Sequence, residues 1–261
     1  LLFISNIAIA QSVRIIDMQQ VTESKDGEFF YPKFSPDGKK VLFTASDFKG
    51  LSFIDLKSGK ITQISHKHGA GYEPVFSENG DYIFYRADQY EGLKRYSSIY
   101  CFDVKSNETR QVIGKHRHLS VPRIFANQLV YTHENQLKRK RMEILPNSRS
   151  EELFVTIENQ KIALYKNGKK SLLTPKGEGS YIWPELSPDK TKILFTLAGK
   201  GTYICNLQGD VNAEIGKLNA PKWFNNEWLV GMRDKDNGYY ITESDVFMVS
   251  ADGKQTEKLT N

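Results

Sequence analysis

The sequence predicts an all-β fold built from repeated, four-stranded antiparallel sheets. Three observations predict it. A block of turn and strand residues recurs along the chain, each copy is followed by further strand-and-turn pairs, and no segment keeps an i, i+3, i+4 apolar pattern over three turns.

The repeat reads Tyr31-Pro-Lys-Phe-Ser-Pro-Asp-Gly-Lys-Lys-Val-Leu-Phe-Thr44, then Tyr72-Glu-Pro-Val-Phe-Ser-Glu-Asn-Gly-Asp-Tyr-Ile-Phe-Tyr85, then Trp183-Pro-Glu-Leu-Ser-Pro-Asp-Lys-Thr-Lys-Ile-Leu-Phe-Thr196. Weaker copies begin at Ala220 and Val121. Their prolines, Pro32, Pro74, Pro122, Pro184 and Pro221, are spaced by 42, 48, 62 and 37 residues. Periods near forty residues correspond to one propeller blade each. Ser-Pro-Asp-Gly is turn chemistry, with Pro and Asp inside the turn and Gly free to take positive φ. The continuous apolar runs Val41-Leu42-Phe43 and Ile193-Leu194-Phe195 suit strands covered on both faces by neighbouring sheets.

Downstream of each copy come a third strand, a second turn and a fourth strand, as in Leu51–Leu56, Lys57-Ser-Gly-Lys60 and Ile61–Ile64. That gives four antiparallel strands per unit, the make-up of a β-propeller blade. Five to six blades are visible, and six are expected in the full-length protein. Residues 121–175 fit this scheme poorly. One blade with an inserted hairpin is favoured there over two short blades. The chain stops at Asn261 where a further copy is expected, so a C-terminal blade is expected beyond it, and Val13–Val21 reads as an extra strand.

Residues 1–10 are apolar and end in Ala8-Ile9-Ala10, a signal-peptidase pattern, so they read as the remnant of a signal peptide. Residues 11–261 then form a single propeller domain, periplasmic or secreted. Polar residues follow at once, which makes the leader too short for a transmembrane anchor. The net charge of +5 does not by itself argue for nucleic acid, and the basic run Lys138–Arg141 reads as an exposed hairpin. Cys101 and Cys205 are expected to be buried free thiols, placed at the same strand position of two repeats and too far apart for a disulfide.

The Tyr/Trp-x-Pro-x-Phe-Ser-Pro-Asp-Gly block, with the following Ile-Asp-Leu-Lys-Ser-Gly-Lys, resembles the WD-like repeat of TolB-type propellers, from about Phe29 to Asn261. The resemblance implies a periplasmic propeller that binds an envelope protein or peptide, and a monomer. The same propeller hosts scaffolds, lyases and peptidase-associated domains, so the resemblance carries fold further than function.

Strand order sorts the loops between two faces. One face is expected to collect His66, His68, Tyr90, Arg95, Tyr96, His116, His118, Lys200, Arg233 and Tyr239 around a funnel. Cations and tyrosines in a concave mouth would suit an anionic saccharide or a peptide carboxylate. His66, His68, His116 and His118 are the only candidate metal set, of the kind oligogalacturonate lyases resembling this chain use. Gly-x-Ser-x-Gly, His-Glu-x-x-His and Walker motifs are absent from the sequence. A non-catalytic binding role with no cofactor is therefore favoured, with a metal-dependent lyase or a carbohydrate-binding propeller as alternatives. Trp183, Trp223, Trp228, Phe34 and Phe76 read as packing residues between blades.

Overall fold

A computed structural model describes residues 20–22, 27–125, 127–134, 136–145 and 152–260. The expected leader, residues 1–10, and most of the strand-like segment Val13–Val21 lie outside the described residues. The chain divides into two compact units, one within residues 19–150 and one within 151–261.

The first unit holds three antiparallel sheets. The first is β1 (Phe30–Phe34), β2 (Lys40–Thr44), β3 (Leu51–Asp55) and β4 (Ile61–Ser65). The second is β5 (Val75–Phe76), β6 (Tyr82–Glu91), β7 (Lys94–Asp103) and β8 (Thr109–His116). The third has, among the described residues, β9 (Arg123–Phe125), β10 (Gln128–His133) and β11 (Gln136–Arg141). The second unit opens with another three-stranded sheet, β12 (Leu153–Glu158), β13 (Lys161–Lys166) and β14 (Lys169–Leu173). Two four-stranded sheets follow: β15 (Tyr181–Leu186), β16 (Lys192–Leu197), β17 (Gly201–Asn206) and β18 (Val211–Gly216), then β19 (Asn219–Trp223), β20 (Trp228–Asp236), β21 (Ile241–Ser250) and β22 (Thr256–Lys258). These six meander sheets are the blades of a β-propeller fold, and the described helical structure amounts to a single 3-10 turn at Ser46–Phe48.

The expectation for residues 121–175 is corrected. Among the described residues the segment forms two separate three-stranded sheets rather than one blade with an inserted hairpin. Two blades of ordinary length need about 80–90 residues, and only 62 separate Pro122 from Pro184. Each described sheet accordingly has three strands. The basic run Lys138–Arg141 lies on β11, exposed at all four positions.

Alternation explains the unbroken apolar runs. In β6, Ile83 and Tyr85 pack toward the first sheet with Leu42, Leu51 and Phe53, while Phe84 packs toward the third with Leu119 and Leu129. In β16, Ile193 and Phe195 meet Leu153 and Ile162 of the fourth sheet, and Leu194 meets Leu229 and Val249 of the sixth. Successive strand residues point to opposite faces, so a sheet sandwiched between two others needs an apolar residue at every position. Each such side chain contributes about 1.5–3 kcal/mol on full burial.

The same period corrects one expectation. Cys101 and Cys205 are free and buried, as expected, but they do not share a strand position. Cys101 pairs with Phe84 and faces the third sheet, whereas Cys205 pairs with Ile193 and faces the fourth. An offset of one residue turns a side chain to the other face. Burial pushes the Cys101 thiol up to about 11 and the Cys205 thiol up to about 12.

The repeated Ser-x-Asp-Gly turn is a hydrogen-bonded unit. The Ser35 hydroxyl donates to Asp37 Oδ1 at 2.6 Å and accepts from the Lys40 N–H at 2.9 Å. Ser187 with Asp189, and Ser250 with Asp252, repeat the arrangement, with hydroxyl-to-carboxylate distances of 2.6 Å in both. The Ser77 copy uses Asn79 instead. These hydrogen bonds, the serine hydroxyl foremost, hold Asp37, Asp189 and Asp252 below the ordinary carboxyl value. Gly38 and Gly80 take φ of +68° and +74° in their turns, but the fifth sheet places Lys190 there at +60°.

Two predictions follow from the turns. Lys190→Gly relieves a left-handed non-glycine residue, and is expected to raise stability by about 0.5–1 kcal/mol in urea unfolding, after the entropy cost of glycine. The turn carboxyls have lower values in the folded chain than the unfolded 3.8, so the stability they supply is complete above that value and is lost as pH falls below it. The melting temperature is therefore expected to fall in that acid range, and the triple variant Asp37→Asn, Asp189→Asn, Asp252→Asn to show a shallower fall.

Candidate functional site

The repeat carries backbone strain as well as packing. Tyr31, Glu73, Trp183 and Ala220 each precede the proline of their copy, and each is left-handed, with φ of +54°, +49°, +52° and +44°. Proline disfavours right-handed helical geometry in the residue before it. Three of the four lie where strand register slips, between Phe30 and Lys33, Ile182 and Glu185, and Asn219 and Lys222. Such bulges re-aim side chains, and a left-handed non-glycine residue costs about 1–2 kcal/mol. The fifth copy has β-branched Val121 at this position, does not take positive φ, and starts its strand only after Pro122.

In the first unit this geometry assembles an aromatic ladder. Asp47 and Phe48, in the loop between β2 and β3, are both left-handed at φ +55°. Phe48 stacks on Tyr31 with ring centres 4.5 Å apart, and meets Tyr72 edge-on at 4.9 Å. The Gly71 N–H donates to the Phe48 carbonyl at 3.2 Å, tying the loop to the next sheet. Arg86 lies over the Tyr72 ring at 5.6 Å. Beside the ladder, Arg123 pairs with Glu73 at 2.5 Å, and Lys33 Nζ donates to the Pro74 carbonyl at 2.9 Å. Tyr31 stays 56% exposed and Tyr72 39%, so the ladder presents open ring surface. Burial of its inner part, followed by the charge of Glu73, raises the Tyr72 hydroxyl above its ordinary value.

Beneath it sits a buried ion pair. The side chains of Arg86 and Asp88 are 11% and 6% exposed, with Arg86 Nε 3.4 Å from Asp88 Oδ1. Arg86 also donates to the Leu119 carbonyl at 3.2 Å, and the Ser97 hydroxyl donates to Asp88 at 2.6 Å. Desolvation lowers the Arg86 value, and the Asp88 charge works against that. The Asp88 N–H donates to the His68 carbonyl at 2.7 Å. Gly69, at φ +71°, allows this approach, since a Cβ there would lie 2.6 Å from Asp88 Oδ2. The Asp88 backbone N–H therefore ties the linker between the first and second sheets to β6.

Within each unit the residues expected from sequence take the following places. His66 and His68 are exposed in the linker after β4. Tyr90, Arg95 and Tyr96 lie not in a loop but on the outer part of the β6–β7 hairpin, where Arg95 is 3.9 Å from Asp88 and His68 meets Tyr90 edge-on at 6.3 Å. His116 ends β8 and packs on His133 at 4.3 Å, and His118 follows in the linker. Lys200 is in the β16–β17 turn, while Arg233 on β20 covers Phe247 at 4.5 Å and Tyr239 is 93% exposed at the β20–β21 turn. The first seven belong to one unit and the last three to the other. Among the described residues no three His, Cys, Asp or Glu side chains group as metal ligands, so the four-histidine set is not assembled. A cleft of about 510 Å³ lies elsewhere, between the fifth and sixth sheets, lined by Lys192, Asn212, Glu227, Trp228 and Asp252 among others.

The aromatic expectation divides. Phe76 and Trp228 are buried and Trp223 is partly buried, but Trp183 is 39% exposed at its bulge and Phe34 63% exposed at the end of β1. The ladder itself escaped the sequence reading. Its signal was present in Tyr31 and Tyr72 heading the first two repeat copies; the turn that brings Phe48 between them was not. Asp88→Ala is expected to leave Arg86 buried without its counter-charge and to cost about 3–5 kcal/mol, against about 1–2 kcal/mol for Ser97→Ala, measured as shifts in urea midpoint.

No protein-family model matches the chain, and no curated protein matches it. Solved structures do. The chain is similar to TolB from Acinetobacter baumannii at 17% identity and a TM-score of 0.53, over 90% of this chain and 54% of that one. The chain thus spans about half the length of that protein. It is similar to a putative TolB from Agrobacterium tumefaciens at 18% identity and a TM-score of 0.57, over 89% and 80%. It is also similar to a puromycin-hydrolyzing peptidase of Mycobacterium tuberculosis at 13% identity and a TM-score of 0.58, over 90% and 44%. At these identities the likeness shows the fold alone, a TolB-like β-propeller.

Proposed function

We propose that this chain is a non-catalytic propeller of the cell envelope that binds a protein or peptide partner. The observation that carries the reading is the exposed aromatic ladder Tyr31–Phe48–Tyr72 beside the Glu73–Arg123 pair, held by left-handed residues at Tyr31, Asp47, Phe48 and Glu73. Strained backbone that the surroundings enforce clusters at binding sites. Rigid aromatic rings offer contact area at small entropic cost, and a neighbouring Arg supplies fixed donors, the residue types that dominate binding hot spots. The TolB-like fold supports the scaffold reading, and the Ala8-Ile9-Ala10 pattern supports export. No described helix is long and apolar enough to cross a membrane.

The test is affinity capture from a Gram-negative envelope extract with the chain and with Tyr31→Ala and Arg123→Ala variants. A specific protein partner is expected, reduced about tenfold or more by either variant while melting is unchanged, as for a hot-spot residue. Recovery of no partner above background, or equal recovery with both variants, would overturn the reading.

A further inference from the structure

The β6–β7 hairpin is twice as long as its counterpart in the first sheet. β2 ends at Thr44, whose equivalent is Arg86, but β6 runs on to Glu91 and is paired with β7 through Glu91 and Lys94. Five further residues at about 3.3 Å each carry the tip about 16 Å beyond the ordinary end of a blade. The extension has a firm base, because Asp88 is fastened there by Arg86, Ser97 and the His68 carbonyl.

Its tip has an ordered composition. At the apex Leu93 is fully exposed, at 105% of its reference area, and Tyr90 is 58% exposed. Immediately behind come Lys94 and Arg95, both exposed, and Tyr96, whose ring lies 4.8 Å from Lys115 Nζ. Arg117 is exposed in the chain that follows β8. The two carboxylates of this region are engaged: Glu91 with Lys115, and Asp88 with Arg86 and Arg95. Lys94 and Arg117 have no ion pair among the described residues, so the hairpin carries a surplus of positive charge around an apolar point.

We propose that this hairpin docks the chain onto an anionic phospholipid surface. A convex apex offers a protein partner no groove, but an aliphatic tip with tyrosines and cations just behind it matches the layering of a bilayer interface. The aliphatic group enters the acyl boundary, the aromatic rings sit at headgroup level, and the cations meet lipid phosphates.

Co-sedimentation of the full chain with phosphatidylcholine vesicles, with and without phosphatidylglycerol, tests this. Binding is expected only with phosphatidylglycerol present, falling as salt rises. Leu93→Ser is expected to weaken it about tenfold, and the double variant Lys94→Ser, Arg117→Ser by a similar factor, with unchanged melting and with the partner capture that depends on Tyr31 intact. Absence of vesicle binding, equal binding to neutral vesicles, or indifference to Leu93→Ser would overturn the proposal. So would binding of a polyglutamate peptide that the same variants abolish while vesicles are ignored, since the hairpin would then read acidic protein.

Discussion

The rest of the structure depends on one constraint: a central strand such as Ile193–Phe195 is apolar at every position and must be covered on both faces. Side chains alternate across the sheet, so Ile193 and Phe195 serve one neighbour and Leu194 the other. A single sheet of this kind would leave one apolar face in water. Stacked meander sheets solve the problem within each unit, and the repeated motif is the sequence expression of that solution. Turn chemistry follows from it, because stacked sheets need tight, self-satisfied connections. The buried Ser35, Ser187 and Ser250 hydroxyls satisfy their turns from within.

Against this regular background, the candidate binding features are departures from the repeat. The left-handed residue before proline lifts Tyr31 and Trp183 out of the packing that the repeat would otherwise assign them. The strained loop at Asp47 and Phe48 slots a third ring beside Tyr31, and extension of one hairpin carries Leu93 away from its sheet. None of these changes disturbs the apolar faces, which is how a blade can vary its ends while its centre stays constant.

Legibility in the sequence tracked the range of the interactions involved. Turns and central strands depend on neighbours a few residues apart, and the blocks at Tyr31, Tyr72 and Trp183 disclosed them. The contacts of His68 with Tyr90 and of His116 with His133 were not legible from loop face alone, because knowing the end of a sheet does not say which side chains meet. Likewise, the two cysteines looked equivalent by motif. A single-residue difference in register, which only pairing reveals, set them on opposite faces.

The sequence by itself determined the all-β class, the period of the blades and the turns that close their hairpins, since each follows from local propensity and alternation. Tertiary structure decided that the described part of residues 121–175 pairs as two three-stranded sheets, because the short spacing allows more than one pairing and only the observed strand order selects between them. It also decided that Tyr31, Phe48 and Tyr72 form one surface and that Arg86 and Asp88 share one buried site. Tyr31, Phe48 and Tyr72 lie on separate segments that only the packing of one sheet on the next brings within reach, whereas Arg86 and Asp88 share a face of β6 by alternation and owe only their burial to the neighbouring chain.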